Sequence, residues 1–343
     1  MFIKTIALES SKAGDIIAED IINDFGVTLV AKDTIVNDYI KDKLAVYGIR
    51  SVKIYQEPSD LQENFQESYT EILLQTKNIF QDIVSGKTLN CKSVSSIADK
   101  IIDCCHENNK IIGCLSYIQN ADEYTFRHSM NVAFYSMLIA KWLHLSDRKV
   151  KIAVKSGLLH DVGKIKIPKE ILNKKGKLTK EEFEIIKKHT ILGYEIVKDL
   201  EEIESDIKLA VLLHHERVDG SGYPYHYNSD RVNLYARIVA VADVFDAMTS
   251  DRVYRGKSTP FDVFEMFQSV GVGIFDAQIL NMFVSKLSTY LIGAKVQLSS
   301  GKTGEVVFIP LQNISYPIIK VESDYIDLFK AEEVKIVGMI QTD

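Results

Sequence analysis

Two dense stretches carry residues that could do chemistry together. One is Gly157-Leu158-Leu159-His160-Asp161-Val162-Gly163-Lys164-Ile165, where a histidine and an acid are neighbours and a lysine follows. The other is His214-His215-Glu216-Arg217-Val218-Asp219-Gly220-Ser221-Gly222-Tyr223-Pro224. Histidine clusters in an apolar region of helical pattern point to a metal site rather than to scattered titratable groups. With His128, His189 and Asp243, and setting His144 aside, the region offers five imidazoles and the carboxylates of Asp161 and Asp243. That exceeds what one tetrahedral zinc needs and suits two divalent ions bridged by a carboxylate. Asp161 is the natural bridge, because His160 anchors one ion while two carboxylate oxygens can face both. Ions about 3.5–4 Å apart lower the pKa of a shared water and hold a phosphoryl oxygen, which is the chemistry of phosphoester hydrolysis. Lys164 then serves as a point charge on the phosphate, not as a ligand.

The elements that must position these residues follow from periodicity. Helices are expected over 124–143, 148–160, 180–200, 207–215, 235–249 and 260–270. Before them, apolar residues recur at helical spacing from Asp60 to Gly86, giving one long amphipathic helix whose stripe packs in cis by default, although a second subunit is left open. A second helix follows Ser95. Residues 1–56 alternate short apolar runs with turns, include a helix near 36–47 and a strand near 51–55, and read as a small α+β module. After Ile292-Gly293 the period falls to two, with strands at 294–298, 305–309 and near Ile318 and Val334. The expected fold is mainly α: a helical-bundle catalytic domain with a small α+β N-terminal module and a small β-rich C-terminal module. The expected segments are 1–118, 119–292 and 293–343.

Composition sets bounds. A formal net charge of −6 is the wrong sign for coating a nucleic-acid polymer. No uncharged apolar run is long enough to span a membrane, and the N-terminus is interrupted by Lys4, Glu9, Lys12 and Asp15, so a cytoplasmic protein is expected. The four cysteines (Cys91, Cys104, Cys105, Cys114) match no zinc spacing and read as reduced thiols.

The ordered set resembles a known family. His128-Ser129, the His160–Lys164 run, His189 with Gly193, His214-His215-Glu216 with the loop to Pro224, and Ala242-Asp243-Val244-Phe245-Asp246-Ala247-Met248 are similar to the HD-GYP family. That family is a branch of the HD phosphohydrolases whose members hydrolyse the bacterial messenger cyclic di-GMP. The resemblance implies His128, His160, Asp161, His189, His214, His215 and Asp243 as metal ligands, and Lys164, Arg252 and Tyr254 as phosphate contacts. It implies a metal-bridging hydroxide attacking phosphorus, with Asp161 and Lys164 in catalytic roles and Gly220, Gly222, Tyr223 and Pro224 shaping the substrate loop. Iron or manganese comes first as the metal, with zinc, nickel, cobalt and magnesium also compatible. Some members place a glutamate four residues before the first histidine for a third metal; here that position is Tyr124, so two metals are expected. The products pGpG and GMP both stay open.

Blander readings remain for some residues. Glu216 reads as an orienting group or a surface charge, and Asp246 as helix-stabilising or supporting. His226 reads as a surface residue, with pocket lining as the alternative, His106 and His144 as structural or exposed, Trp142 as core, and Lys174, Lys175, Lys177, Lys187 and Lys188 as a solvated face. Two other functions stay open: a cyclic di-GMP sensor signalling through the N-terminal segment to a protein partner, and a hydrolase of another cyclic dinucleotide. A homodimer is also open.

Overall fold

The computed structural model describes residues 2–23, 25–56, 65–104, 124–174, 176–250, 258–331 and 333–340. By contacts the chain forms two compact units, Met1–Gln62 with Thr259–Glu265 and Val284–Asp343, and Glu63–Ser258 with Met266–Phe283.

The first unit joins the two ends of the chain. Strands β1 (Phe2–Ala7) and β4 (Ser51–Gln56) pair antiparallel, and β2 (Ile21–Ile22) pairs with β3 (Thr28–Val30). Between them lies α1 (Asp38–Val46), started by Asn37, whose side-chain oxygen accepts from the Ile40 N–H. Strands β5 (Lys295–Leu298), β6 (Thr303–Phe308), β7 (Ile318–Val321), β8 (Asp324–Asp327) and β9 (Ile336–Ile340) form one antiparallel sheet in the order β8-β7-β6-β5-β9. Ile17, Val30, Ile40, Leu44 and Val52 bury with Phe308 of β6 in one cluster. Each end alone is too short to bury much of its own apolar surface, and a shared core removes that deficit.

The second unit is helical and carries the site. It contains α2 (Phe65–Val84), α3 (Cys91–Cys104), α4 (Tyr124–Trp142), α5 (Asp147–Leu159), a short α6 (Lys169–Leu172), α7 (Lys180–Lys187), α8 (His189–Val197), α9 (Ser205–Leu213) and α10 (Leu234–Thr249). Helices α11 (Pro260–Ser269) and α12 (Ala277–Thr289) follow in the chain. The long amphipathic helix buries Tyr69, Ile72, Thr76, Ile79 and Phe80 against α3 and α4, so its stripe packs in cis. Helix α4 is buried on every side through its middle turns and sits at the centre of this unit, with Met130 to Ala140 almost inaccessible. Helix α12 and strand β8 are additional to the expected elements, and two details differ from expectation. Trp142 is only half-buried, near Phe283, because it closes the last turn of α4. The stretch 180–200 is two helices divided at Lys188, where the side chains of His189 and Thr190 bond the carbonyls of Ile186 and Lys187.

No helix among the described residues is long and apolar enough to cross a membrane.

Candidate metal centre

Helix ends deliver most of the histidines. His160 ends α5, His189 follows α7 and His214 ends α9. In each case Nδ1 lies 2.7–3.0 Å from the carbonyl three residues earlier, on Gly157, Ile186 and Val211. A carbonyl only accepts, so Nδ1 carries the proton and donates. The lone pair is therefore on Nε2, which in all three residues faces the interior of the helical unit. Groups behind a ligand that fix its tautomer and ring angle are a regular part of metal sites.

The turn after α5 brings Asp161 against α8. A Cβ on Gly163 would collide with the His189 carbonyl and the Gly193 backbone, so only glycine lets the two chains touch there. This close approach sets Asp161 Oδ1 3.3 Å from His189 Nε2. The other oxygen, Oδ2, lies 3.2 Å from His160 Nε2 and 3.5 Å from His128 Nε2. On α10, Asp243 places Oδ1 3.1 Å from His128 Nε2 and Oδ2 3.9 Å from His215 Nδ1.

The seven residues gather as two clusters, Asp161 with His189, His214 and His215, and His128 with His160 and Asp243. Within each, one donor atom per residue lies within 4.8 Å of the others. His189 and His214 bring their Nε2 atoms to 3.3 Å. Two nitrogens bound to one ion at about 2.1 Å stand roughly 3.0–3.4 Å apart, so this spacing fits shared ligation. The buried Nε2 of His160 and Oδ1 of Asp161 make no hydrogen bond, which is costly for polar atoms in a dry interior unless an ion engages them. The donor set fits divalent metals.

Electrostatics prepares the donors. Burial holds the His214 and His215 imidazoles well below their ordinary pKa, aided by neighbouring imidazoles, and burial lowers His189 to about 4. All three are neutral near pH 7, as ligation requires. Burial penalises the Asp161 and Asp243 carboxylates, but the imidazoles around them, and Lys164 at Asp161, win and hold both ionised. Burial also opposes charge on His128, yet the carboxylates of Asp243 and Asp246 outweigh it and raise His128 to about 9.

A pH dependence of stability follows. A folded-state histidine pKa below the unfolded value of about 6.5 stabilises fully above that value and loses this as pH falls through the folded value. His189, His214 and His215 should therefore each cost stability as pH falls below about 6.5. The two lowered carboxylates act only below their own unfolded values, near pH 4. His128 acts oppositely, stabilising below about 6.5 and losing this as pH rises through about 9. Thermal unfolding in chelator should thus show a melting temperature that drops steeply from pH 6.5 to 4.5. A flat profile over that range would contradict the neutral-histidine assignment.

The remaining residues fall around this centre. Lys164 Nζ lies 2.5 Å from Asp161 Oδ2. Glu216 is buried and accepts from the N–H groups of Tyr225 (2.7 Å) and Tyr227 (3.0 Å), which ties down the chain beyond the glycine loop. A Cβ on Gly222 would run into the backbone of His215, Glu216 and Arg217, and Gly220 has φ +77°. The Tyr223 ring stacks on His215 at 4.6 Å, and the Tyr223–Pro224 bond is cis. His144 and His226 are exposed, and Lys174 and Lys187 pair with Glu182 and Glu184. Arg252, Tyr254, His106, Cys105, Cys114, Lys175 and Glu123 lie outside the described residues.

Asp246 is more central than its sequence reading: it is buried and its Oδ2 meets His128 Nδ1 at 2.7 Å. Asn131, which donates to Asp246 Oδ1 at 2.8 Å, and Tyr69 behind it were not singled out. A polar Asn131 amid Met130, Val132 and Ala133 was a detectable signal, since a buried amide needs partners.

A family model described as HD domain matches residues 115–279. The chain is 34% identical over 244 residues to the cyclic di-GMP phosphodiesterase PA4108 of Pseudomonas aeruginosa, covering 71% of this chain and 59% of that protein. It is 34% identical over 178 residues to the 3'3'-cGAMP-specific phosphodiesterase 1 of Vibrio cholerae, covering 49% of this chain and 39% of that protein. The chain thus spans less than two thirds of the length of these curated relatives. Among solved structures, Bd1817, a HDG"Y"P protein from Bdellovibrio bacteriovorus, shares the fold with a TM-score of 0.56 at 17% identity, over 83% of this chain and 99% of that one.

Proposed function

Since the chain belongs to the HD domain family, in its HD-GYP branch, we propose that it is a metal-dependent phosphodiesterase hydrolysing cyclic di-GMP to pGpG, GMP or both. The observation that carries this reading is one carboxylate, Asp161, with its two oxygens turned toward two histidine clusters and a lysine beside it. One ion would be held by His189, His214, His215 and Asp161, and a second by His128, His160 and Asp243, with Asp161 shared. Bound there, two such ions supply an activated water near neutral pH and offset charge on phosphoryl oxygens. Iron and manganese suit this mixed nitrogen and oxygen set best.

The protein's own groups do the rest. Lys164 moves its charge from Asp161 to a phosphate oxygen of the substrate, where charge builds during cleavage. The loop from Asp219 to Pro224, anchored by Glu216, bounds the nucleotide side of the site, with Tyr223 presenting a ring beside His215. Arg252 and Tyr254 complete the phosphate contacts. Residues 119–292 form the catalytic segment, with 1–118 regulatory and 293–343 a C-terminal module. A cytoplasmic location, a homodimer and a signalling-protein partner for the N-terminal segment accompany this reading.

The cGAMP-specific relative favours a second reading, in which the same centre cleaves a different cyclic dinucleotide. A competition assay separates the two. Manganese-loaded protein given equal cyclic di-GMP and 3'3'-cGAMP should consume the former first, by kcat/KM; preferential loss of the latter would reassign the substrate. A sensor with little turnover is disfavoured by the full donor set, which binding alone does not require.

The loop carries a prediction of its own. Gly222→Ala forces the loop backbone off the end of α9, and displacing substrate-positioning atoms by about 1 Å can cost roughly 100-fold in kcat/KM. Metal content should be unchanged. Wild-type kinetics in this variant would remove the loop from the substrate site.

A further inference from the structure

The polar network behind His128 reaches past the seven clustered residues into another helix. His128 Nδ1 meets Asp246 Oδ2 at 2.7 Å, the Asn131 amide donates to Asp246 Oδ1 at 2.8 Å, and the Tyr69 hydroxyl donates to Asn131 Oδ1 at 3.0 Å. Tyr69, Asn131 and Asp246 are each no more than 1% exposed, and His128 is 5% exposed. Chemistry fixes every orientation. A carboxylate only accepts, so the Asn131 NH2 must face Asp246, its carbonyl must face Tyr69, and Tyr69 must donate. Each bond therefore supports the next, ending at the ring whose Nε2 faces Asp161 and Asp243.

Tyr69 lies on α2, well before residue 115, where the HD domain match begins. We propose that Tyr69 and Asn131 are positioning residues for the metal centre. They would hold Asp246 so that the His128 ring presents Nε2 to a bound metal, which ties α2 to the metal centre. The inference rests on the metal reading of the site. Bonds to a buried carboxylate are strong and directional in a low-dielectric interior, so removing one donor lets the carboxylate and the imidazole it holds turn.

Tyr69→Phe is the cleanest test, because it deletes only a hydroxyl and keeps the ring against Phe134, 6.2 Å away. The readouts are Mn2+ affinity and stoichiometry by calorimetry, the melting temperature in chelator, and kcat and KM separately. Tyr69→Phe should weaken Mn2+ binding about 3- to 10-fold and lower kcat comparably, with KM little changed. Asn131→Ala should weaken Mn2+ binding about 10- to 100-fold. Ile72→Val, a packing change on the same helix, should lower the melting temperature and leave Mn2+ affinity at the wild-type value. If Tyr69→Phe keeps wild-type Mn2+ affinity and kcat while the wild type binds Mn2+, the network is structural only and the inference fails. A wild type that binds no Mn2+ overturns the metal reading as well, and the wild-type titration tells the two failures apart.

Discussion

Asp161→Asn is expected to abolish hydrolysis, with kcat/KM lower by about 10³- to 10⁵-fold and fewer than two metals retained per chain. The side chain keeps its shape, so the effect reports charge and donor count rather than packing. Asparagine offers one weak oxygen donor and an NH2 that cannot ligate. Only one of the two clusters could then keep an oxygen from this position, and its other would face an N–H. His189 Nε2, 3.3 Å from Oδ1, and His160 Nε2, 3.2 Å from Oδ2, show what each side would lose. Elemental analysis alongside steady-state kinetics checks both parts. Two retained metals with near wild-type turnover would remove Asp161 from the shared position.

Lys164→Met should behave differently. It is expected to lower kcat/KM by about 10²- to 10³-fold while metal stoichiometry stays at the wild-type level. The reason lies in where the amine sits: Nζ is within 2.5 Å of the shared carboxylate, yet a quarter of its side chain is exposed. It can therefore swing a positive charge onto a bound phosphate without belonging to either donor cluster. Loss of metal from this variant would mean that Lys164 stabilises the centre rather than the substrate. Unchanged kinetics would leave Arg252 as the main cation toward the phosphates.

The clustered histidines and acids were legible in the sequence because metal ligation would call for these side chains, and five imidazoles with two acids in an apolar region have few other uses. Asp243 stood out for the same reason, as a carboxylate on a largely apolar helix. The device that aims the imidazoles was not legible. That two helices close on, and a third is followed by, a histidine donating to the carbonyl three residues back depends on where each helix stops, and helix ends are poorly marked by periodicity. The break at Lys188 is an instance, since Lys180 to Leu200 has one continuous apolar pattern. Tyr69 was hidden for another reason. An aromatic in an amphipathic stripe reads as core, and nothing local shows that its hydroxyl meets Asn131 from a helix more than fifty residues away. The shared core of the chain ends, with Phe308 beside Ile40 and Leu44, is likewise a long-range contact that no local pattern encodes.

The central proposal is that the residues around Asp161 would hold two metals and that the protein cleaves a cyclic dinucleotide. The measurement that tests it most directly is a titration of Mn2+ into chelator-treated protein in the presence of cyclic di-GMP, with product followed by chromatography at each equivalent. Product should stay low through the first equivalent and rise with the second. It should plateau at two per chain, as pGpG, GMP or a succession of both. Two bound Mn2+ per chain and measurable nucleotide binding, with no product formed, would contradict the account and make the site a sensor.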